Sequence, residues 1–216
     1  MADYVSPDWS RAALVVVDVQ NDFLDDGAAA IPGTTDVLPA IAALTQVFRE
    51  AGRPIAHVVR LYEPGGSDVD LPRRDSIERG ARVVAPGTAG SQIPHPLLPA
   101  PVDLNVEILR SGRPQVLRDR EIVVMKPRWS AFYRTPLESW LHDHDCDTVV
   151  VAGCNLPNCP RATLFDASER DFRAALVSDA VSQTSAERLS DLERIGVRTL
   201  TASALSTELS TIRTGH

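Results

Sequence analysis

The sequence predicts an α/β fold, a mainly parallel sheet with helices packed on both of its faces. Three observations carry this expectation. Short β-branched apolar runs alternate with longer segments of helical period. Several runs are apolar at every position, as strands covered on both faces must be. The spacing between runs leaves room for a crossover helix, which a parallel pair of strands requires.

The elements follow in order. Residues 12–18 (AALVVVD) form the first strand. Residues 36–51 carry Val37, Ile41, Leu44 and Phe48 on one helical face, and Gly52 stops the helix. Pro54–Arg60 is the second strand and 121–126 (EIVVMK) the third. Thr135-Pro136-Leu137-Glu138 is a capping box with proline at the first helical position, so a helix starts there. Residues 147–153 (DTVVVAG) make a fourth strand, 157–171 a helix and 173–179 a strand. Thr184 and Glu187 frame another capping box before a helix to Ile195, and 197–201 is a last short strand. Alternation of this kind builds a three-layer, Rossmann-like domain. The 216-residue length suits a single domain over 1–216. Residues 62–120 interrupt the pattern with a long insertion rich in proline, glycine and charge (YEPGGSDVDLPRR, APGTAGSQIPHPLLPAP). Such a segment serves either as a lid or binding element, or as an edge decoration or subunit contact.

Composition excludes several functions. A net charge of −7 with no Lys/Arg run argues against nucleic-acid and anionic-membrane partners. The first apolar run lacks a basic lead, is short and ends in Asp18, so it reads as a strand and not a signal peptide. No stretch is long enough to span a bilayer. Three cysteines (Cys146, Cys154, Cys159) are an odd number, which fits a reduced, cytoplasmic setting better than a disulfide framework. The spacing from Cys154 to Cys159 is not that of a zinc pair. No glycine-rich phosphate loop follows the first strand, so a nucleotide-binding role is disfavoured. His57 lies inside a strand as a paired core residue. His142 and His144 end a helix at the surface, His95 sits among prolines and His216 is last.

Asp18, Lys126 and Cys159 share one feature. Each lies at or just beyond the C-terminal end of an expected strand, where open parallel sheets bind ligands. Alone, Asp18 could cap the next segment, Lys126 could be a surface lysine and Cys159 a small buried apolar residue. Cys159 also falls in the first turn of a helix, whose free N–H groups, with a nearby lysine, favour the thiolate.

Four segments then carry a specific resemblance. LVVVDVQNDF (14–23), KPRWSAFYRTPLESWL (126–141), VVVAGCNLPNCPRAT (149–163) and DASERDFRAALVSDAVS (166–182) resemble the isochorismatase-like cysteine hydrolases, the superfamily of nicotinamidase, N-carbamoylsarcosine amidase and ureidoacrylate amidohydrolase. The resemblance implies Asp18 as general base, Lys126 as the cation that orients it, and Cys159 as the nucleophile of an acyl-thioenzyme. It also implies a cis Cys154–Asn155 bond that aims the N–H groups of Asn155 and Cys159 at the developing oxyanion, each worth roughly 3 kcal/mol in the barrier. A homo-oligomer, dimer or larger, is implied as well. Candidates for the substrate pocket are Phe23, Arg60, Tyr62, Arg128, Trp129, Phe132 and Tyr133.

Two departures stand out. Leu156 replaces a usual threonine three residues before the cysteine. The region after the second strand (HVVRLYEPGGSDVD) holds only His57, where nicotinamidases carry Asp and His metal ligands, so neither metal nor other cofactor is expected. Isochorismatases that cleave a vinyl ether by acid catalysis need no nucleophilic cysteine. Retention of Cys159 therefore favours cleavage of an amide-type C–N bond in a small carbamoyl, ureido or lactam compound. The KPRWSAF and NCPRAT segments are also similar to streptothricin hydrolase, which opens a lactam. The alternatives are a vinyl-ether hydrolase and a non-catalytic oligomeric homologue.

Overall fold

A computed structural model describes residues 3–214; the terminal residues, His216 among them, lie outside the described residues. The strands are β1 (Ala12–Val17), β2 (Ile55–Val59), β3 (Gln115–Arg118), β4 (Glu121–Met125), β5 (Thr148–Gly153), β6 (Arg173–Val181) and β7 (Arg198–Leu200). The helices are α1 (Leu38–Glu50), α2 (Leu71–Glu78), α3 (Val106–Arg110), α4 (Leu137–Asp143), α5 (Cys159–Ser168), α6 (Ala186–Arg194) and α7 (Ala202–Thr214). One sheet holds all seven strands in the order β3-β4-β2-β1-β5-β6-β7. Neighbours run parallel except β3 and β4.

Every residue of β1 is buried, because side chains alternate between two covered faces. Ala13, Val15 and Val17 pack toward Leu137, Leu141, Leu164 and Leu192 of α4, α5 and α6. Leu14 and Val16 pack toward Ile41, Leu44 and Phe48 of α1 and Leu205 and Leu209 of α7. Phe48 is fully enclosed, so truncation to alanine costs about 3–5 kcal/mol.

The structure adds elements the sequence reading lacks. In α7, Ala202, Leu205 and Leu209 form an apolar stripe, but serines and threonines dilute its signal. The segment 62–120 is not one structureless insertion. It contains α2 and α3 and ends in the antiparallel edge strand β3, and its Leu97, Leu104 and Leu109 join the core beside α1.

Three helix starts shift. Pro136 is the N-cap of α4 and not its first residue; Thr135 Oγ1 accepts from the Leu137 N–H at 3.3 Å, while Glu138 turns away to Arg170. The cap of α6 is Ser185 and not Thr184, since Ser185 has extended backbone and its hydroxyl accepts from the Arg188 N–H. Helix α5 begins at Cys159 and not at 157, because Asn158 donates back to the Asn155 carbonyl in a separate turn.

The chain leaves β1 toward β2 and β4, and later returns to place β5 on β1's other side. The crevice beyond the ends of β1 and β5 is thus a topological switch point, where such sheets bind ligands. Gly153 closes it. An added Cβ there would lie 2.2 Å from the Val17 carbonyl oxygen, and its φ is +122°. Only glycine permits this approach. It lets the Cys154 N–H donate to Val17 O at 2.8 Å, drawing the β5–α5 turn against Asp18.

Candidate active site

Three strand ends converge on one buried cluster. Asp18 follows β1 with φ +54°, its N–H donating to Val58 O at 2.8 Å. Lys126 follows β4, anchored through its N–H to Val59 O at 3.0 Å. Lys126 Nζ lies 2.8 Å from Asp18 Oδ2 and also donates to Arg128 O at 3.2 Å. Asp18 Oδ1 is buried without a hydrogen-bond partner. Cys159, 8% exposed, opens α5 and lines the same cavity as Asp18. Arg60, at the end of β2, sends Nη2 to within 3.7 Å of Cys159 Sγ, and its Nε lies 3.8 Å from Asp18 Oδ2.

Burial pushes the Cys159 thiol up, and the charge of Asp18 raises it further; Lys126 and Arg60 pull the other way without winning. This runs against the expectation that the helix end and lysine favour the thiolate. The resting group is a thiol and needs a base. Burial likewise pushes Cys154 up to about 12 and Cys146 up to about 11. Burial opposes the charge on Arg60, but Asp18 and its other neighbours outweigh that, and the guanidinium stays charged. Asp70 is held below the usual carboxylate range despite its burial, by Arg60, Tyr62 and Trp129.

The cavity measures about 270 Å³. Asn155 lines it, and of the substrate-pocket candidates so do Phe23, Arg60 and Trp129. Four others do not. Tyr62 stands behind Arg60, accepting from its Nη1 at 2.9 Å and donating to Asp70 at 2.8 Å. Arg128 turns outward to the carbonyls of Asp68 and Pro127. Phe132 stacks on Phe172 and under Arg170, within the core. Tyr133 points to solvent, 46% exposed. The reason is a clamp on this segment. Ser130 Oγ donates to Asp166, and the Ala131 N–H donates to Thr163 Oγ1 at 3.0 Å. Thr163 in turn donates to Cys159 O at 2.8 Å, so α5 fixes which side chains face the cavity.

Sequence reasoning missed the wall supplied by Asp70, Pro72 and Arg73. A signal existed: Asp70-Leu71-Pro72 has the aspartate and early proline of a helix start. Arg60 Nη1 donates to Asp70 Oδ1 at 2.5 Å, tying this wall to β2.

The Cys154–Asn155 peptide is cis. Among the described residues, the N–H groups of Asn155 and Cys159 have no acceptor. Leu156, in the place of the usual threonine, supports the turn in another way. Its side chain is buried in the core and its N–H donates to Ser182 O at 3.0 Å. Asn155 Nδ2 donates to Gln183 Oε1 at 3.2 Å.

Among the described residues no group of three or more His, Cys, Asp or Glu is placed to hold a metal. His57 is paired with Glu121 at 2.8 Å, and Asp70 is committed to Arg60 and Tyr62. These residues do not fit a metal centre.

The isochorismatase domain family model matches residues 12–112 and 105–208. The chain belongs to the isochorismatase family. A relative within it, a probable inactive nicotinamidase of Arabidopsis thaliana, is 30% identical over 94% of this chain and 98% of its own. A ureidoacrylate amidohydrolase of Methylobacterium radiotolerans is 27% identical over 86% of this chain and 72% of its own. The crystal structure of an isochorismatase family protein from Desulfovibrio vulgaris superposes with a TM-score of 0.78 at 30% identity, covering 93% of this chain and 98% of that one. Among the described residues no helix is long and apolar enough to cross a membrane.

Proposed function

We propose that this isochorismatase-family chain is a metal-independent cysteine amidohydrolase that cleaves an amide-type C–N bond of a small molecule. One observation carries the reading: Asp18 shares a cavity with the Cys159 thiol, with Oδ2 held by Lys126 and Oδ1 buried and unpaired. A buried carboxylate oxygen without a donor is costly in a structural role and useful in a base. In this reading Oδ1 takes the thiol proton as Sγ attacks the substrate carbonyl. The N–H groups of Asn155 and Cys159 receive the oxyanion. Asp18 then returns the proton to the departing nitrogen, which needs it more than an oxygen leaving group would. Water, activated by the same carboxylate, hydrolyses the thioester.

Lys126 and Arg60 orient Asp18 within the buried cluster. The amidohydrolase name of the Methylobacterium relative supports C–N cleavage. The inactive label on the Arabidopsis relative concerns nicotinamidase activity, and this chain carries Asp18, Lys126 and Cys159 together. We include in the proposal a cytoplasmic location and a homo-oligomer. The individually exposed apolar side chains of Val116 on edge strand β3, Tyr133 and Phe165 support the oligomer.

A screen for released ammonia or amine over simple amides, carbamoyl compounds, ureido acids and lactams tests the reading, with Cys159→Ala as control. Carbamoyl, ureido or cyclic amide substrates should be turned over by wild type and not by the variant. Efficient cleavage of isochorismate by both proteins would replace it with the vinyl-ether reading.

A further inference from the structure

The charges around the cavity do not balance. Asp18 and Asp70 are the carboxylates and Arg60 and Arg73 the cations of the lining, and Lys126, buried behind it on Asp18, is a third cation. One positive charge is left over, in a chain whose net charge is −7. Lys126 and Arg60 are spoken for. Lys126 holds Asp18 Oδ2, and Arg60 has Nη1 on Asp70 and Tyr62 and its Nε toward Asp18. A guanidinium so engaged has no free pair of donors to grip a substrate carboxylate. Arg128, the other arginine that sequence suggested, is outside the cavity.

Arg73 differs from all of these. It sits in the first turns of α2, is half-buried and lines the cavity. Among the described residues it has no carboxylate partner. Its guanidinium carbon lies 5.8 Å from the centre of the Phe23 ring, which also lines the cavity. Packing over an aromatic face steadies a guanidinium while leaving its N–H edge available. A planar fork of donors is matched by a carboxylate better than by any neutral group. The cavity, about 270 Å³, lies below the usual range for drug-sized ligands, so the partner is small.

We propose that Arg73 is a specificity-determining residue that binds a carboxylate on the substrate, at the end away from the scissile amide. The substrates are then small amide-type compounds that carry a free carboxylate. This rests on the amidohydrolase reading above and narrows it.

The test compares succinamate with succinamide, which differ only in a carboxylate against a carboxamide. Wild type should prefer succinamate in kcat/KM by at least tenfold. Arg73→Met, which keeps the stem and removes the charge, should lower that preference at least tenfold, mainly through the KM of the acid. Arg73→Lys should restore part of it. An unchanged preference in Arg73→Met, or a wild type that favours the diamide, overturns the proposal.

Succinate binding by calorimetry reads the same site without turnover. Its Kd should weaken at least tenfold in Arg73→Met; equal binding, or no binding to wild type at millimolar concentration, overturns the proposal. Binding that depends on Arg73 while neither amide is hydrolysed would uphold the anion site and count against the hydrolase reading. Hydrolysis with no effect of Arg73 would do the reverse.

Discussion

Gly153→Ala should damage both stability and catalysis, by amounts the geometry sets. Gly153 is the register partner of Val17 across β1 and β5. Its added Cβ would meet Val17 O at 2.2 Å, Val17 N at 2.7 Å and Val17 C at 3.0 Å. These are backbone atoms, so no side-chain rotation relieves the clash. Restoring an ordinary carbon–oxygen separation of roughly 3.3 Å moves the strand ends apart by about 1 Å. The positive φ costs about 1–3 kcal/mol for alanine, and the stretched Cys154 N–H to Val17 O bond about 1 kcal/mol more. A loss of about 2–4 kcal/mol in urea unfolding follows. A displacement of about 1 Å between the Cys159 turn and Asp18 should lower kcat about a hundredfold in an amine-release assay well below the melting temperature. Gly52→Ala is the control. Its φ of +63° is also positive, but nothing lies within 4 Å of the added Cβ. It should cost about 1 kcal/mol and leave kcat alone. If Gly153→Ala behaves like Gly52→Ala, close approach at β5 does not set the site.

Asp18→Asn should lower kcat about a thousandfold or more through loss of the base. The same change should slow alkylation of Cys159 at pH 7.5, because burial holds the thiol up and Asp18 is the base that takes its proton; alkylation as fast as in wild type would contradict that role. Glu121 has its carboxyl at about 2 against the usual 4.5: burial opposes ionisation, but hydrogen bonds from Arg49 and His57 outweigh it. Because the folded value is the lower one, this stability is fully present above about pH 4.5 and is lost as pH falls toward 2. It is on the order of 3 kcal/mol, so Glu121→Gln should flatten the acid limb of a stability–pH curve between about pH 5 and pH 2; an unaltered limb would refute the assignment. Exhaustive chelation should leave activity intact, and a stoichiometric metal whose removal abolishes turnover would overturn the metal-free mechanism.

Much of this was legible because it is local. The β-branched run ending in Asp18, the IVVM run before Lys126 and the turn before Cys159 each announce a strand end in the chain itself. Strand order was not legible, since periodicity says which face a residue covers and nothing of its neighbours. Arg60 lines the cavity, but its tie to Asp70 was not legible, because Asp70 lies in a segment whose fold the pattern obscured. The thiol was misjudged for a related reason. A helix start and a lysine are visible in sequence, but burial and the through-space charge of Asp18 are not, and they prevail. Phe132 and Tyr133 follow Trp129 closely in the chain, yet the clamp through Ser130 and Thr163 sends them elsewhere.

The most direct test of the central claim is intact and peptide mass spectrometry after a rapid quench during turnover. The account predicts an acyl adduct confined to the peptide bearing Cys159, absent from Cys159→Ala, whose turnover should fall below about a hundredth of wild type. Sustained turnover by Cys159→Ala, with no adduct on the wild-type cysteine, would contradict it.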